Sequence, residues 1–207
     1  MRKHHEFWTS DNTDAYERVF MQWGIGHLFP AISMAAHVTA SPNHQTGRSA
    51  PLKFRFDVAM SGRLGFELQP CDMTEEDMVF SKRALAEYKR IRPVVQFGDL
   101  YRLSSPYESR VASLMYVYGK RAVVFAWLMD KWLADSPPPL RLKGLNPSAR
   151  YLVREINMNE DGSLTDVHER RLGGDFLMDA GIRIRWKKAF QSVCLEVVET
   201  NPDAPAS

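Results

Sequence analysis

The sequence predicts two structural halves in one chain of 207 residues: an α/β half up to about residue 98, then an all-β, antiparallel half. Three observations predict this. Up to Gly98, apolar stripes with helical spacing alternate with short apolar runs, the rhythm of repeated βα units around a parallel sheet. After Gly98, the apolar runs are short and punctuated by Gly, Pro and Asn, which indicates an antiparallel sandwich. A closed (β/α)8 barrel takes roughly 200 residues or more. The 98 residues before the change therefore hold only two or three βα units and cannot close a barrel alone.

Each element has its own signal. The stretch Phe7-Trp8-Thr9-Ser10-Asp11-Asn12-Thr13-Asp14 reads as a strand end running into a helix start. Tyr16, Val19, Phe20 and Trp23 then recur at i, i+3, i+4, i+7, one apolar face of a helix. Ser10, Asp11 or Thr13 is expected to cap it, with Asp14 in the first turn, where the helix dipole favours negative charge; Gly24 and Gly26 end it. The apolar run Phe29 to Thr39 reads as a buried strand feeding the polar loop Ser41 to Arg48. Pro51 suits a first helical position, but Leu52 to Ala59 reads as helix or strand by period alone. Gly62 to Leu68 reads as a short strand. Thr74-Glu75-Glu76-Asp77 resembles a capping box opening the longest helix, whose stripe is Met78, Leu85, Tyr88 and Ile91 and which Pro93 is expected to close.

In the second half, strands are expected at Asp99 to Leu103, Val111 to Tyr118 and Arg121 to Met129, with Gly119-Lys120 as a hairpin turn. Ser136-Pro137-Pro138-Pro139 is a stiff connector. Further strands are expected at Leu140 to Lys143, Ala149 to Glu155, Gly181 to Arg185 and Gln191 to Val198, with a turn at Asn159 to Gly162. Residues 201–207 read as a disordered tail.

Composition excludes several classes. Hydrophobic residues make up 44% and charged residues 25%, ordinary for a globular protein with a real core. A net charge of +2 gives no field for nucleic acid. The basic cluster Arg183, Arg185, Lys187 and Lys188 reads as a solvated strand face, with no aromatic stacking platform evident around it. Two lone cysteines, Cys71 and Cys194, have no zinc spacing and favour a reducing compartment, so a cytoplasmic location is expected. No signal peptide or membrane span is visible in the sequence.

The motifs resemble the α-galactosidases of glycoside hydrolase family 36. Trp8-Thr9-Ser10-Asp11-Asn12-Thr13-Asp14-Ala15 carries the resemblance first, followed by Met34-Ala35-Ala36-His37-Val38 and Ser41 to Arg48. Asp57 to Gly62, Gly65 to Leu68 and Val95 to Leu103 continue it, and Leu142 to Leu145 and Gly173 to Met178 extend it into the β-rich half. The stretch Thr165 to Arg171 matches no motif.

The resemblance implies a retaining exo-glycosidase acting on terminal α-galactosyl residues of melibiose, raffinose and stachyose, with no cofactor. It implies that residues 1–98 are the last βα units of a (β/α)8 TIM barrel and that 99–200 form the C-terminal β-sandwich. It makes Asp11 the acid/base. The family's nucleophile lies in a Lys-Trp-Asp type motif, and here Lys131-Trp132 is followed by Leu133, so the nucleophile is not in this chain. The isolated chain is expected to be inactive. A partial barrel is also expected to expose strand edges and to favour oligomers.

Residue chemistry leaves alternatives beside these roles. Asp11 by spacing alone reads as an N-cap or an Asx turn rather than a catalytic carboxylate, and Thr13 and Asp14 are assigned to capping. Trp8 is either barrel-rim packing or part of a sugar pocket. His37 and His44 have loose spacing with no carboxylate near in sequence, which favours structural hydrogen bonds over metal. Arg48 is expected to bond its own loop's carbonyls, and Met60 and Met78 to fill the core. Ser61-Gly62 lacks the Gly-x-Ser-x-Gly elbow of a serine nucleophile. The rival to an enzyme portion is a non-catalytic β-sandwich, structural or carbohydrate-binding, with a barrel remnant on one face.

Overall fold

A computed structural model describes residues 5–132, 137–158 and 162–200. The expected tail at 201–207 and most of the expected turn at 159–162 lie outside these residues, as does Ser136 of the proline connector.

The first half is a three-stranded parallel sheet covered by helices. Strands β1 (Phe7–Trp8), β2 (Met34–Thr39) and β3 (Arg63–Glu67) pair in that order, with Phe7 opposite Met34 and Ala35 to Thr39 opposite Arg63 to Glu67. Helices α1 (Ala15–Ile25), α2 (Leu52–Met60) and α3 (Glu75–Phe97) follow the three strands in turn. Ala36 and Val38 of β2 join α2's Phe54 and Phe56 in one core.

The sequence left α2 open between helix and strand for a physical reason. Lys53, Phe54 and every residue from Phe56 to Met60 are buried, so the helix is enclosed nearly all round and shows no amphipathic stripe. Pro51 is its N-cap, one position earlier than expected. At α1 the N-cap is Asp14, in keeping with its assignment to capping, and its Oδ1 accepts the Tyr16 N–H at 2.9 Å; Ser10, Asp11 and Thr13 do not take that place. Asn12 Oδ1 accepts the Asp14 N–H at 3.0 Å, and this Asx turn moves the helix start one residue on from Thr13. Gly24 lies inside α1, and Gly26 caps its C-terminus.

The capping box at Thr74 and Asp77 forms as expected, but α3 runs through Pro93 to Phe97. Pro93 is exposed, while Val94 and Val95 beyond it are buried, so packing of the last turn outweighs the missing hydrogen bond. Met78 does not fill the core: it and Val79 are exposed, and the buried stripe runs from Ser81 through Ala84, Tyr88 and Ile91.

The second half is a six-stranded antiparallel sheet of order β4-β5-β6-β9-β7-β8. Its strands are β4 (Asp99–Ser104), β5 (Val111–Tyr118), β6 (Arg121–Leu128), β7 (Arg150–Ile156), β8 (Arg170–Gly173) and β9 (Gln191–Thr200). Gly119, at φ 58°, turns the β5–β6 hairpin. The last strand sits in the middle of the sheet, which is why β6 and β9 are apolar on both faces. One face, with Leu114, Tyr116, Phe125 and Trp127, shares the core of the βα units. The other, with Val124, Val153, Leu195 and Val197, packs on Leu140, Leu142, Leu164, Leu177 and Ile182.

That outer layer completes the sandwich with single bridges, Leu140 to Ile182 and Thr165 to Ile184, where full strands were expected. The helix α4 (Gly174–Asp179) occupies the Gly173-Gly174-Asp175 motif, and β8 begins within the stretch that matched no motif.

A buried polar joint ties α2 to the antiparallel sheet. Asp57, fully buried, accepts Lys53 Nζ at 2.6 Å, Ser192 Oγ at 2.7 Å and Asn157 Nδ2 at 2.9 Å. The Tyr116 hydroxyl, which burial pushes well up from its ordinary pKa, donates to the Ser61 carbonyl at 2.8 Å. At the surface of the same joint, Glu196 takes Arg90 and Arg121, and Glu87 takes Arg90 and Arg154.

Candidate active site

The loops at the C-terminal ends of β1 and β2 interlock. In parallel βα architectures this is the end of the sheet where loops from successive strands meet, so catalytic side chains gather there.

Four residues of the β2 loop hold the Asp11 segment. Gln45 grips it on both sides of Asn12: its Nε2 donates to the Asp11 carbonyl at 2.9 Å, and its Oε1 accepts the Thr13 N–H at 3.0 Å. Asn43 Nδ2 donates to Thr13 Oγ1 at 3.0 Å. Thr46 Oγ1 donates to Asp14 Oδ2 at 2.7 Å, and Arg48 donates to the same oxygen. From β2 itself, Thr39 Oγ1 donates to the Thr13 carbonyl at 2.9 Å.

Arg48 therefore serves Asp14, with its guanidinium 4.5 Å from the Tyr16 ring, rather than its own loop's carbonyls. The reason is electrostatic: Asp14 is buried, and a buried carboxylate needs a cation or donors more than an exposed loop carbonyl does.

Asp11 itself is exposed, and its carboxylate has no hydrogen-bond or ion-pair partner among the described residues. Its backbone is fixed while its side chain is left open. That is the arrangement of a group available to a ligand, and it separates Asp11 from the capping carboxylate Asp14 three residues on.

Trp8, at the end of β1, is flanked by two groups. The Arg18 guanidinium lies 4.4 Å from its ring centroid, and the His37 ring lies at 4.4 Å. Arg18 also donates to the Ser10 carbonyl at 3.2 Å and the Ala35 carbonyl at 3.0 Å, and burial lowers its pKa to about 10. His37 Nδ1 lies 3.0 Å from Glu67 Oε1 on β3. The carboxylate absent near His37 in sequence thus arrives across the sheet. Gly65 makes room for this pair, because a Cβ there would stand 2.4 Å from the His37 ring. His44 is exposed and does not join them, and no group of three metal-binding side chains occurs among the described residues.

The sequence reading missed Gln45 and Arg18. Gln45 lay in a loop that carried a turn signal and part of the family resemblance, and neither of these names its hydrogen-bond partners. Arg18 lay on the helix between Glu17 and Val19, where a charged residue normally faces water.

Two family models match consecutive parts of the chain. Residues 1–98 match the family described as Melibiase, and residues 111–197 match the glycosyl hydrolase family 36 C-terminal domain. The chain belongs to glycoside hydrolase family 36. The first match spans the parallel βα units, and the second spans β5 to most of β9.

Relatives of this family-36 chain agree over nearly its whole length. Alpha-galactosidase AgaA of Geobacillus stearothermophilus is 40% identical over 88% of this chain and 24% of its own length. Alpha-galactosidase 2 of Hypocrea jecorina is 36% identical over 89% of this chain and 24% of its own. Among solved structures, the family-36 α-galactosidase AgaB of G. stearothermophilus superposes with a TM-score of 0.83 at 38% identity, covering 94% of this chain and 26% of AgaB. A variant of AgaA solved with raffinose superposes with a TM-score of 0.84 at 37% identity, over the same shares of the two chains. The chain thus spans about a quarter of the length of the curated relatives it matches.

Proposed function

We propose that these residues are the acid/base-bearing portion of a retaining α-galactosidase acting on raffinose- and melibiose-type oligosaccharides. The observation that carries the reading is Asp11, an exposed, unpartnered carboxylate at the C-terminal end of a parallel strand, on a backbone gripped by Gln45. Family membership, and raffinose bound to a variant of the relative AgaA, support the substrate class.

In this reading Asp11, as the carboxylic acid, donates its proton to the glycosidic oxygen as the bond to the anomeric carbon breaks. A second carboxylate attacks that carbon and forms a galactosyl ester. Asp11, now ionised, takes a proton from water as the water attacks and releases galactose. The two carboxyls of a retaining pair stand about 5–5.5 Å apart. No Lys-Trp-Asp motif occurs in the 207 residues, so the nucleophile comes from residues beyond them. Trp8, held between Arg18 and His37 at the end of β1, is the proposed side wall of the galactosyl site. The two free cysteines fit a reducing compartment, and the cytoplasm is the proposed location.

Two assays test the reading. The purified chain alone should not release nitrophenol from nitrophenyl-α-galactoside, and turnover abolished by Asp11→Asn would refute the assignment of the nucleophile to other residues. Grafted in place of the matching quarter of AgaA, the chain should support raffinose hydrolysis. Asp11→Asn in that graft should cost about 10²–10⁴ in kcat on raffinose. Nitrophenyl-α-galactoside, whose leaving group needs no proton, should suffer less. Azide, replacing water in the second step, should restore turnover and yield α-galactosyl azide. A β-galactosyl azide product would instead assign Asp11 the nucleophile's role.

A further inference from the structure

A cleft of about 530 Å³ lies on the outer layer of the sandwich, within the roughly 300–1,000 Å³ of small-molecule sites. Pro137–Pro139, Asp166, Arg183, Arg185 and Trp186 line it. It adjoins the core on the far face of the six-stranded sheet from the βα units, so it is separate from the Asp11 loop. The sequence alone showed a basic cluster without an aromatic platform. The fold supplies one, because Trp186 lines the same cleft as Arg183, Arg185 and Pro137–Pro139.

We propose that this cleft binds a neutral saccharide. Its walls fit the two kinds of surface on a pyranose. Three consecutive prolines give a stiff apolar wall without side-chain donors. Trp186 is partly buried against the outer core, which holds its ring in place. Such surfaces accept the C–H face of a sugar ring.

Hydroxyls need donors and acceptors together, and the cleft offers both. Arg185 and Asp166 form only a loose pair at 3.8 Å, with side chains 69% and 49% exposed. Most of their hydrogen-bonding capacity is therefore open, and Arg183 is exposed beside them. The floor is fixed: Thr165 bridges Ile184, and the Arg185 N–H donates to the Leu164 carbonyl at 2.8 Å.

The lining carries both signs, with two arginines and one aspartate. An anion could use the guanidiniums but would face Asp166, whereas a neutral polyol uses both signs. Lys187 and Lys188 follow in the chain but do not line the cleft.

The test is an NMR titration of the whole chain with galactose, raffinose and maltose, and with inorganic phosphate as the rival probe. Millimolar saccharide binding is expected, reported by the amides of residues 183–186 and an indole N–H. Arg183→Ala and Asp166→Ala, both at exposed positions, should each weaken it about tenfold, the effect of one lost hydrogen-bonding group. Unchanged circular dichroism and unfolding midpoints would show that the fold is intact. Asp11→Asn should leave this binding unaltered, so failure of the galactosidase reading would not touch it. Three results would overturn the proposal: no saccharide response up to about 50 mM, binding indifferent to Arg183→Ala and Asp166→Ala, or phosphate occupying the same residues more tightly than the sugars.

Discussion

Asp57→Ala should be the most damaging single substitution at the joint between the two halves. Asp57 is fully buried and holds three donors: Lys53 at 2.6 Å, Ser192 at 2.7 Å and Asn157 at 2.9 Å. Lys53 is itself buried, at 5% side-chain exposure, so truncating Asp57 leaves an ammonium in the interior without a counter-ion. Breaking one side of a buried pair costs about 3–5 kcal/mol. Ser192 Oγ also loses its acceptor and Asn157 Nδ2 keeps only Met60 Sδ, which places the expected loss near the top of that range. Such a loss is a large share of a typical domain's total stability of about 5–15 kcal/mol. Asp57→Asn keeps an acceptor but removes the charge, and about 1.5–3 kcal/mol should be lost. Lys53→Met combined with Asp57→Asn should cost less than the sum of the two alone, with a coupling of about 2 kcal/mol. Urea unfolding followed by circular dichroism measures all four corners of the cycle. A loss below about 1 kcal/mol for Asp57→Ala would refute the claim that this carboxylate fastens α2 to the sheet, and the absence of coupling would refute the contribution of the buried Lys53–Asp57 pair within α2.

Three other outcomes are expected. Gln45→Ala removes both bonds flanking Asn12 and should cost about 1 kcal/mol, with faster hydrogen exchange at the Thr13 amide; unchanged exchange would show that the loop needs no clamp. Burial raises the Glu155 carboxyl above its ordinary 4.5, so the stability it contributes is complete below that pH and is lost as pH rises through the folded-state value. Glu155→Gln, which stays neutral, should therefore improve relative to the native chain as pH rises from 4.5, and a pH-independent difference in unfolding free energy would contradict this. The parallel sheet has edge strands β1 and β3, and Phe66 on β3 is exposed, so the isolated chain should self-associate in sedimentation; a monodisperse monomer would oppose this.

Much of the fold was legible because the signals were local. The period of Tyr16, Val19, Phe20 and Trp23 and the capping box at Thr74 concern neighbours within one helix. The turn at Gly119 needs only its own positive φ. The failures share a cause in tertiary packing. Helix α2 hid its period because it is enclosed nearly all round, and α3 passed Pro93 because the core holds the turn beyond it. The expected outer strands shrank to single bridges: Leu140 and Ile182 exchange one pair of backbone hydrogen bonds, and their side chains pack on the sheet beneath them.

The sequence by itself determined the two-part architecture, through residue types at short spacing, and the family and the candidacy of Asp11, through motifs that resemble family 36. It left Asp11 suspended between cap and catalyst. Only the tertiary structure showed which of the two carboxylates is engaged and which is left open. The loop after β2 brings Thr46 and Arg48 onto Asp14, which makes Asp14 the cap, and brings Gln45 onto the backbone at Asp11, whose carboxylate stays open. Those contacts join residues more than 30 positions apart, and no local pattern encodes which of two neighbouring carboxylates a distant arginine will reach.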